Sequence, residues 1–310
     1  MGNIYVGFDL GGTKCAAVIA EVKRGGKINF LGRHQVNTEH RGKPSPWKSI
    51  MDRLISFIKD SEYVKDPKDI KGCGISCGGP LDSKRGVILN PPNLMSFENA
   101  PIVDYVHKRL GCPVRLQNDA DACALAEWKF GAGRGTNNMI FLTFGTGIGA
   151  GLILDGKLYV GASNLAGEVG HIRLDPDGPD MPEGYRKRGS FEGFCSGGGI
   201  RQLIKLRTGK DLEPKDLDRL ADAGDQQAID IQNEIGEHLG RGLAILVDLL
   251  NPEVIVIGSI FVRAERHLRG PALRVLEEEA LPESFRGFEL RPAELGEQIG
   301  DYAAIAIGMG

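Results

Sequence analysis

One order of elements occurs twice in this chain, and it leaves few folds open. Ile4 to Phe8 is a short apolar run that ends in Asp9-Leu10-Gly11-Gly12-Thr13-Lys14, and apolar residues resume from Cys15 to Ala20. This predicts a hairpin closed by a glycine turn. Gly25-Gly26 leads into a third strand, Lys27 to Arg33. A helix follows, with Ser45 as its cap, Pro46 in its first turn, and Trp47, Ile50, Met51, Leu54, Ile55 and Ile58 at helical spacing. Ile70 to Ser76 reads as a strand, Ile102 to Leu110 as an amphipathic helix, and Val114 to Leu116 as a strand. A helix from Asp121 to Phe130, closed by Gly131, precedes the restart. Met139 to Phe144, a glycine-rich turn, Ala150 to Leu154, the Asp155-Gly156 turn and Lys157 to Val160 repeat the three-strand opening. The second half carries an insertion from Gly161 to about Ala223. It continues with a long helix from about Gln226 to Leu250, a strand from Val254 to Ile257, and further elements up to Pro292. The last helix, Gly300 to Gly308, is apolar and needs a surface, which crossing back onto the first half would supply.

A chain of 310 residues with 41% hydrophobic composition is long enough for two cores, so two domains are expected. A formal net charge of -3 gives no global field for nucleic acid or anionic lipid. The single basic run, Arg186-Lys187-Arg188, lies among Gly and Pro and reads as a solvated loop. Leu239 to Gly258 is the most apolar stretch, but Arg241, Asp248, Asn251, Pro252 and Glu253 interrupt it, so no membrane span is expected. The first residues lead straight into a strand without a leader pattern, and a cytoplasmic protein is expected. Cys15, Cys73, Cys77, Cys112, Cys123 and Cys195 are scattered without CxxC spacing, which suits reduced, buried thiols.

The two glycine turns share a chemistry. Gly11, Gly12, Thr13 and Lys14 in one, and Gly145, Thr146, Gly147 and Gly149 in the other, combine residues that permit positive backbone angles and close approach with hydroxyl donors. Successive amides in such turns can surround a phosphate. Gly145 to Ala150 also matches the dinucleotide fingerprint G-x-G-x-x-G/A. That fingerprint requires a helix straight after the glycines, whereas strand, turn and strand follow here. Phosphates held by two such turns on opposite domains imply a cleft that closes over a nucleotide.

Between the repeats, Asn118-Asp119-Ala120-Asp121 crowds polar side chains where a strand stops and a helix begins. Asn and Asp are common helix caps, and this stretch by itself suits capping and chemistry equally. Its company decides more. The paired turns, Asn118-Asp119, Ala166-Gly167-Glu168-Val169-Gly170-His171, Gly189-Ser190-Phe191-Glu192 and Asn251 to Gly258 together resemble the ROK family of sugar kinases and repressors. The resemblance spans nearly the whole chain. It implies an α/β, two-domain actin-like (ribonuclease H-like) sugar kinase fold, a duplicated βββαβαβ with a cleft between domains. Residues 1–117 with 297–310 would form a smaller N-terminal domain and 118–296 a larger C-terminal one. The family's repressors carry an N-terminal helix-turn-helix, for which the turn at Asp9 leaves no room.

The resemblance also implies a chemistry: transfer of the γ-phosphoryl group of ATP to a hydroxyl of a free hexose, as in a glucokinase. Asp119 matches the general base, and a helix N-terminus would favour its ionised form. Gly79, Asn93, Asn118, Glu168, His171 and Glu192 match residues around the sugar; amides, carboxylates and imidazole suit hydroxyls that both donate and accept. Asp121 is left as a first-turn carboxylate. Asp9 would orient a hydrated Mg²⁺, and the turn residues would hold phosphates. Gly258 resembles the first of an adenosine-contacting Gly-Gly pair, whose second member is here Ser259.

The largest departure concerns zinc. Many ROK proteins bind a structural Zn²⁺ through the His and three Cys that follow it, but Ile172 to Glu192 holds no cysteine and Ser190 occupies the last thiolate position. A sulfur-rich tetrahedral site cannot be built there, so no structural zinc is expected. Asp175, Asp177, Asp180 and Tyr185 are candidates for orienting His171 instead. Polyphosphate as donor and a non-catalytic sugar sensor are the alternatives to an ATP-dependent kinase. Relatives are often dimers, so a homodimer is expected. Selectivity among hexoses would rest on Pro91 to Phe97 and on Ile172 to Glu192.

Overall fold

The computed structural model describes residues 2–40, 43–178 and 187–310. The chain divides into two compact units: Met1–Arg134 with Val160–Leu165 and Glu297–Gly310, and Gly135–Tyr159 with Ala166–Gly296.

The first unit is built on β1 (Asn3–Leu10), β2 (Lys14–Val22) and β3 (Ile28–Asn37), followed by a two-residue ribbon of β4 (Glu39–His40) and β5 (Lys43–Pro44). Helix α1 (Trp47–Lys59), β6 (Ile70–Cys77), the small ribbon β7 (Leu81–Asp82) and β8 (Val87–Ile88), α2 (Ile102–Leu110), β9 (Val114–Asn118) and α3 (Asp119–Phe130) complete the N-terminal part. The sheet order is β3-β2-β1-β6-β9, antiparallel among the first three and parallel from β1 through β6 to β9. The helical spacing in α1 does what its pattern demands: Ile50, Met51, Leu54, Ile55 and Ile58 are buried against Val6, Phe8, Ile19 and Ile75 of the sheet. Two local expectations change. Ser45 does not cap α1; its N–H donates to the Thr38 carbonyl, and Pro46 is the N-cap without a side-chain bond. Strand β9 continues through Asn118 and α3 begins at Asp119, because the Asn118 Oδ1 accepts the Asp121 N–H at 2.8 Å and makes Asn118 itself the cap.

The C-terminal helix (Ile299–Met309) lies on this unit, against β6, β1 and α3. It is buried nearly all round, from Ala303 to Gly308, as its uninterrupted apolar sequence requires. Small residues make the approach possible: a Cβ on Gly74 would stand 2.0 Å from the Ala304 carbonyl oxygen, and one on Gly72 2.2 Å from that of Gly308. Because α3 packs on the same helix, the first unit runs on to Arg134, past the boundary at 117 taken from the sequence.

The second unit repeats the plan. Its sheet order is β12-β11-β10-β13-β14, from β10 (Met139–Phe144), β11 (Ile148–Leu154), β12 (Lys157–Tyr159), β13 (Val254–Ile257) and β14 (Glu289–Pro292). The β10-β11-β12 meander is antiparallel, and β10, β13 and β14 run parallel. Asp155 and Gly156, both at positive φ, form the tight turn between β11 and β12. The insertion supplies α4 (Phe191–Phe194), α5 (Gly197–Thr208) and α6 (Pro214–Asp222), ahead of α7 (Gln226–Leu250), α8 (Ile260–Glu279) and α9 (Pro282–Phe285). Helices α7 and α8 pack closely because Gly236 and Gly240 face Leu268, Pro271 and Ala272. Among the described residues no helix is long and apolar enough to cross a membrane.

Candidate active site

In the first unit the parallel strands end together. Register pairs Asp9 with Ser76 and Cys77 with Asn118, so residues more than a hundred positions apart in sequence share one sheet edge. That edge, beyond the carboxyl ends of parallel strands, is where open α/β sheets place ligands. Asp119 is exposed there, at the first position of α3, with its Oδ1 accepting the Ala120 N–H at 2.9 Å. Its Oδ2 lies 4.0 Å from where a Cβ on Gly78 would be, and Gly79 next to it faces open space. Asn118 is tied by its cap bond through Oδ1, leaving the amide nitrogen as its available donor. Asp121 is buried behind them. Asn93 joins the same edge through its backbone, since its carbonyl oxygen is 2.7 Å from a Cβ built on Gly12.

The turn after β1 spans Gly11 to Thr13. Its frame is the Gly11 N–H on the Lys14 carbonyl (3.0 Å) and the Thr38 hydroxyl on the Gly11 carbonyl (3.0 Å). Lys14 is already the first residue of β2 and is exposed. Neither Gly11 nor Gly12 takes a positive φ. Glycine is required here for room, because a Cβ on Gly11 would meet the Lys14 oxygen at 2.9 Å.

Asp9 is strongly perturbed by its surroundings. Burial, then the neighbouring Asp301 and Asp119 carboxylates, push its pKa up to about 6, while Arg33 opposes them. Arg33 and Asp301 form an ion pair (Nε to Oδ2, 3.0 Å), and Gly300, at the start of the C-terminal helix, leaves the Asp9 carboxylate space that a Cβ would take at 2.6 Å. Neither Arg33 nor Asp301 is singled out by any sequence pattern. A carboxyl whose folded pKa lies above its unfolded 3.8 stabilises the protein below that value and loses the contribution as pH rises through about 6. Asp9→Asn, neutral at every pH, is therefore expected to raise the thermal midpoint at pH 8, with the difference closing toward pH 4. Equal differences at both pH values would contradict this origin of the shift.

The second unit gathers the other candidates around the end of β10. Its turn is Gly145-Thr146-Gly147, closed by the Gly145 N–H on the Gly147 carbonyl at 3.1 Å. Gly149 is not part of the turn: it pairs with Thr143 in the β10-β11 ladder, and its N–H donates to Thr143 Oγ1 at 2.8 Å. Its amide is thus spent within the sheet. The strand that follows confirms that no dinucleotide helix is present. Gly258 directly follows β13, its N–H on the Leu142 carbonyl of β10. Ser259, next to it, has φ 56 and ψ -111, and a Cβ on Gly145 would lie 3.6 Å from its hydroxyl. It sits at the N-cap of α8 yet makes no capping bond. Such backbone costs of order 1 to 3 kcal/mol for a residue with a side chain. Ser259→Gly should therefore stabilise the protein by about 1 kcal/mol in urea unfolding; a lower midpoint would show that the side chain contributes more than its backbone costs.

Glu168, at the N-cap, and His171, at the end, lie exposed on a 3₁₀ turn (Val169–His171). Gly167 has φ 90 and its carbonyl accepts the Ala150 N–H at 2.8 Å, which fixes this turn to β11. Glu192 stands in the first turn of α4, with Ser190 Oγ capping through the Gly193 N–H at 3.0 Å. Its Oε2 accepts the Ile148 N–H at 3.1 Å.

Of the groups considered for orienting His171, Asp180 and Tyr185 lie outside the described residues, as does Arg186. Asp175 Oδ1 accepts the Asp177 N–H at 2.9 Å. Lys187 and Arg188 are more than solvated charges: Lys187 Nζ donates to the His171 carbonyl at 2.6 Å, and Arg188 to the carbonyls of Asp177 and Gly178. Among the described residues no group of three His, Cys, Asp or Glu could hold a metal ion. The described cysteines are all free thiols.

A duplicated α/β plan, with a glycine turn after the first strand of each sheet and a carboxylate at the start of the helix after β9, is the actin-like two-domain fold of the sugar kinases. The ROK family profile matches residues 5–308, and the chain belongs to that family. It is 30% identical to a glucokinase of Thermotoga maritima over 97% of this chain and 96% of that one. A ROK family glucokinase from Streptomyces griseus, solved in complex with glucose and AMPPNP, superposes with a TM-score of 0.72 at 30% identity, covering 99% of each chain. The DNA-binding transcriptional repressor Mlc of Escherichia coli is 32% identical over 75% of this chain and 60% of its own length.

Proposed function

We propose that the protein is an ATP-dependent hexose kinase that moves the γ-phosphoryl group of ATP to a hydroxyl of a free hexose. The observation that carries this is Asp119: an exposed carboxylate at the start of α3, with its Oδ2 4.0 Å from where a Cβ on Gly78 would be. Its Oδ1 accepts the Ala120 N–H, and Oδ2, on the side of Gly78, is assigned the hydroxyl proton. The Asn118 amide nitrogen donates to a neighbouring sugar hydroxyl, and Asn93 and Gly79 border it. Glu168, His171 and Glu192 are the matching sugar residues of the second unit.

The donor's phosphates are assigned to the turns at Gly11 to Lys14 and Gly145 to Gly147, with Gly258 toward the nucleoside. Of the eight turn residues assigned from the sequence, Gly149 supports the turn only as a member of the ladder. Asp9 fits a hydrated Mg²⁺, because a carboxyl surrounded by Asp119 and Asp301 concentrates negative charge that a cation relieves. When bound, Mg²⁺ supplies charge neutralisation on the transferring phosphate oxygens.

The deciding experiment is an ADP-release assay with ATP and Mg²⁺ across glucose, fructose, mannose and their N-acetylated derivatives, with polyphosphate as a second donor. ATP-dependent turnover of at least one hexose is expected. Turnover with polyphosphate alone would change the donor. The match to Mlc favours one other reading, a sugar-responsive regulator, and binding of a hexose without turnover on either donor would select it.

A further inference from the structure

Glu192 touches two loops that the proposed kinase uses for different substrates. Its Oε2 accepts the Ile148 N–H directly after the phosphate turn, and the same oxygen lies 2.7 Å from where a Cβ on Gly147 would be. On its other side, a Cβ on Gly170 would meet the Glu192 Cβ at 3.2 Å and Oε2 at 3.3 Å. Gly170 stands between Glu168 and His171. The carboxylate is therefore wedged between the Gly145–Gly147 turn and the turn that carries Glu168 and His171, and both turns have a glycine where they meet it.

The helix that presents this carboxylate has little freedom to move. Ser190 caps α4, and Phe191 fills the space over Gly242 of α7, whose Cβ would stand 2.4 Å from the ring. Phe194 stacks on His238 with ring centroids 3.5 Å apart and planes at 11°. A Cβ on Gly199 of α5 would meet the Glu192 carbonyl oxygen at 2.6 Å. With its backbone held from α5 and α7, displacement of the Glu192 side chain is transmitted to the loops rather than absorbed by α4.

We propose that Glu192 is a positioning residue that couples the sugar turn to the phosphate turn, so that hexose and nucleotide bind cooperatively. This rests on the kinase reading above and adds to it. A sugar hydroxyl that engages the Glu192 carboxylate fixes the oxygen on which the Ile148 amide depends, and the phosphate turn is then held in one shape before the nucleotide arrives. By linkage, the nucleotide must favour the sugar by the same factor.

The test is binding rather than turnover. The dissociation constant of AMPPNP with Mg²⁺ is measured calorimetrically on the full chain, without glucose and at saturating glucose. The wild type should bind AMPPNP about 5- to 10-fold more tightly with glucose present. In Glu192→Ala that ratio should fall to within about twofold of unity, and in Gly147→Ala, where the new methyl displaces the carboxylate, it should fall likewise. Adding Gly147→Ala to Glu192→Ala should change nothing further, because the atom the methyl would strike is gone. Glu192→Gln keeps an acceptor oxygen for the Ile148 amide and should restore sugar-free AMPPNP affinity to within about twofold of wild type, a rescue that misfolding would not permit. A wild-type ratio retained in Glu192→Ala, or additive losses in the double variant, would overturn the coupling. Wild type that binds both ligands independently would overturn it while leaving the kinase reading in place. Wild type that binds neither would overturn both.

Discussion

Asp119→Asn is expected to lower kcat by about 10² to 10⁴ with little change in fold. The substitution keeps the shape of the side chain and an oxygen that accepts the Ala120 N–H, so the start of α3 should survive. The cap of the helix does not depend on it, since that role belongs to Asn118, whose Oδ1 holds the Asp121 N–H. What is lost is the carboxylate oxygen proposed to accept the hydroxyl proton. The measurement is steady-state kinetics with ATP, Mg²⁺ and the preferred hexose, beside a thermal melt. Near-normal kcat would remove Asp119 from the role of base and leave it as a first-turn carboxylate. A fall in stability equal to that of a broken cap would show that the helix start, not the chemistry, had been disturbed.

Gly74→Ala is expected to cost about 3 kcal/mol of stability, the upper part of the range for overpacking. The reason is the rigidity of what the new methyl would strike. It would lie 2.0 Å from the Ala304 carbonyl oxygen and 2.6 Å from the Gly308 nitrogen, both backbone atoms of the C-terminal helix. No side-chain rotamer can relieve this, so the helix must lift from β6 or the strand must bend. Gly7 reinforces the same interface, with the Ala304 methyl 2.5 Å from a Cβ built there. Urea unfolding of the variant against wild type measures the cost, and an unchanged midpoint would show that the helix can retreat freely. Because Gly300 and Asp301 of that helix lie beside Asp9, the variant should also disturb Asp9, seen as a shift in the pH dependence of stability.

In the glycine turns, glycine serves close approach rather than a special backbone angle. Glycine at 11, 12 and 147 is expected for positive backbone angles and for close approach, and none of the three takes a positive φ. Each instead leaves out a Cβ that would strike Lys14, Asn93 or Glu192. Those neighbours are 3, 81 and 45 positions away along the chain, so only the first contact was within reach of local pattern. Gly149 is the converse case. It looks like part of the turn because the run of glycines continues through it, but the hairpin register places it opposite Thr143. Ser259 took the place of an expected glycine, and its strained backbone records what that position demands.

By itself the sequence determined the kind and order of elements. Hydrophobic period, turn residues and caps are local properties, and α2, α7, β10 and β13 fall where their patterns place them. It also determined the family, because the spacing of the turns, of Asn118-Asp119 and of Glu168 to His171 is linear information. Only the tertiary structure decided which of these residues meet. Strand register set Asp9, Ser76 and Asn118 along one edge, and the close seat of the C-terminal helix brought Asp301 and Arg33 to bear on Asp9. The seat of α4 against α7 placed the Glu192 carboxylate under the Ile148 amide. These are contacts between segments remote in the chain, fixed by packing of two buried surfaces at van der Waals distance, and no periodicity within either segment encodes the partner it will meet.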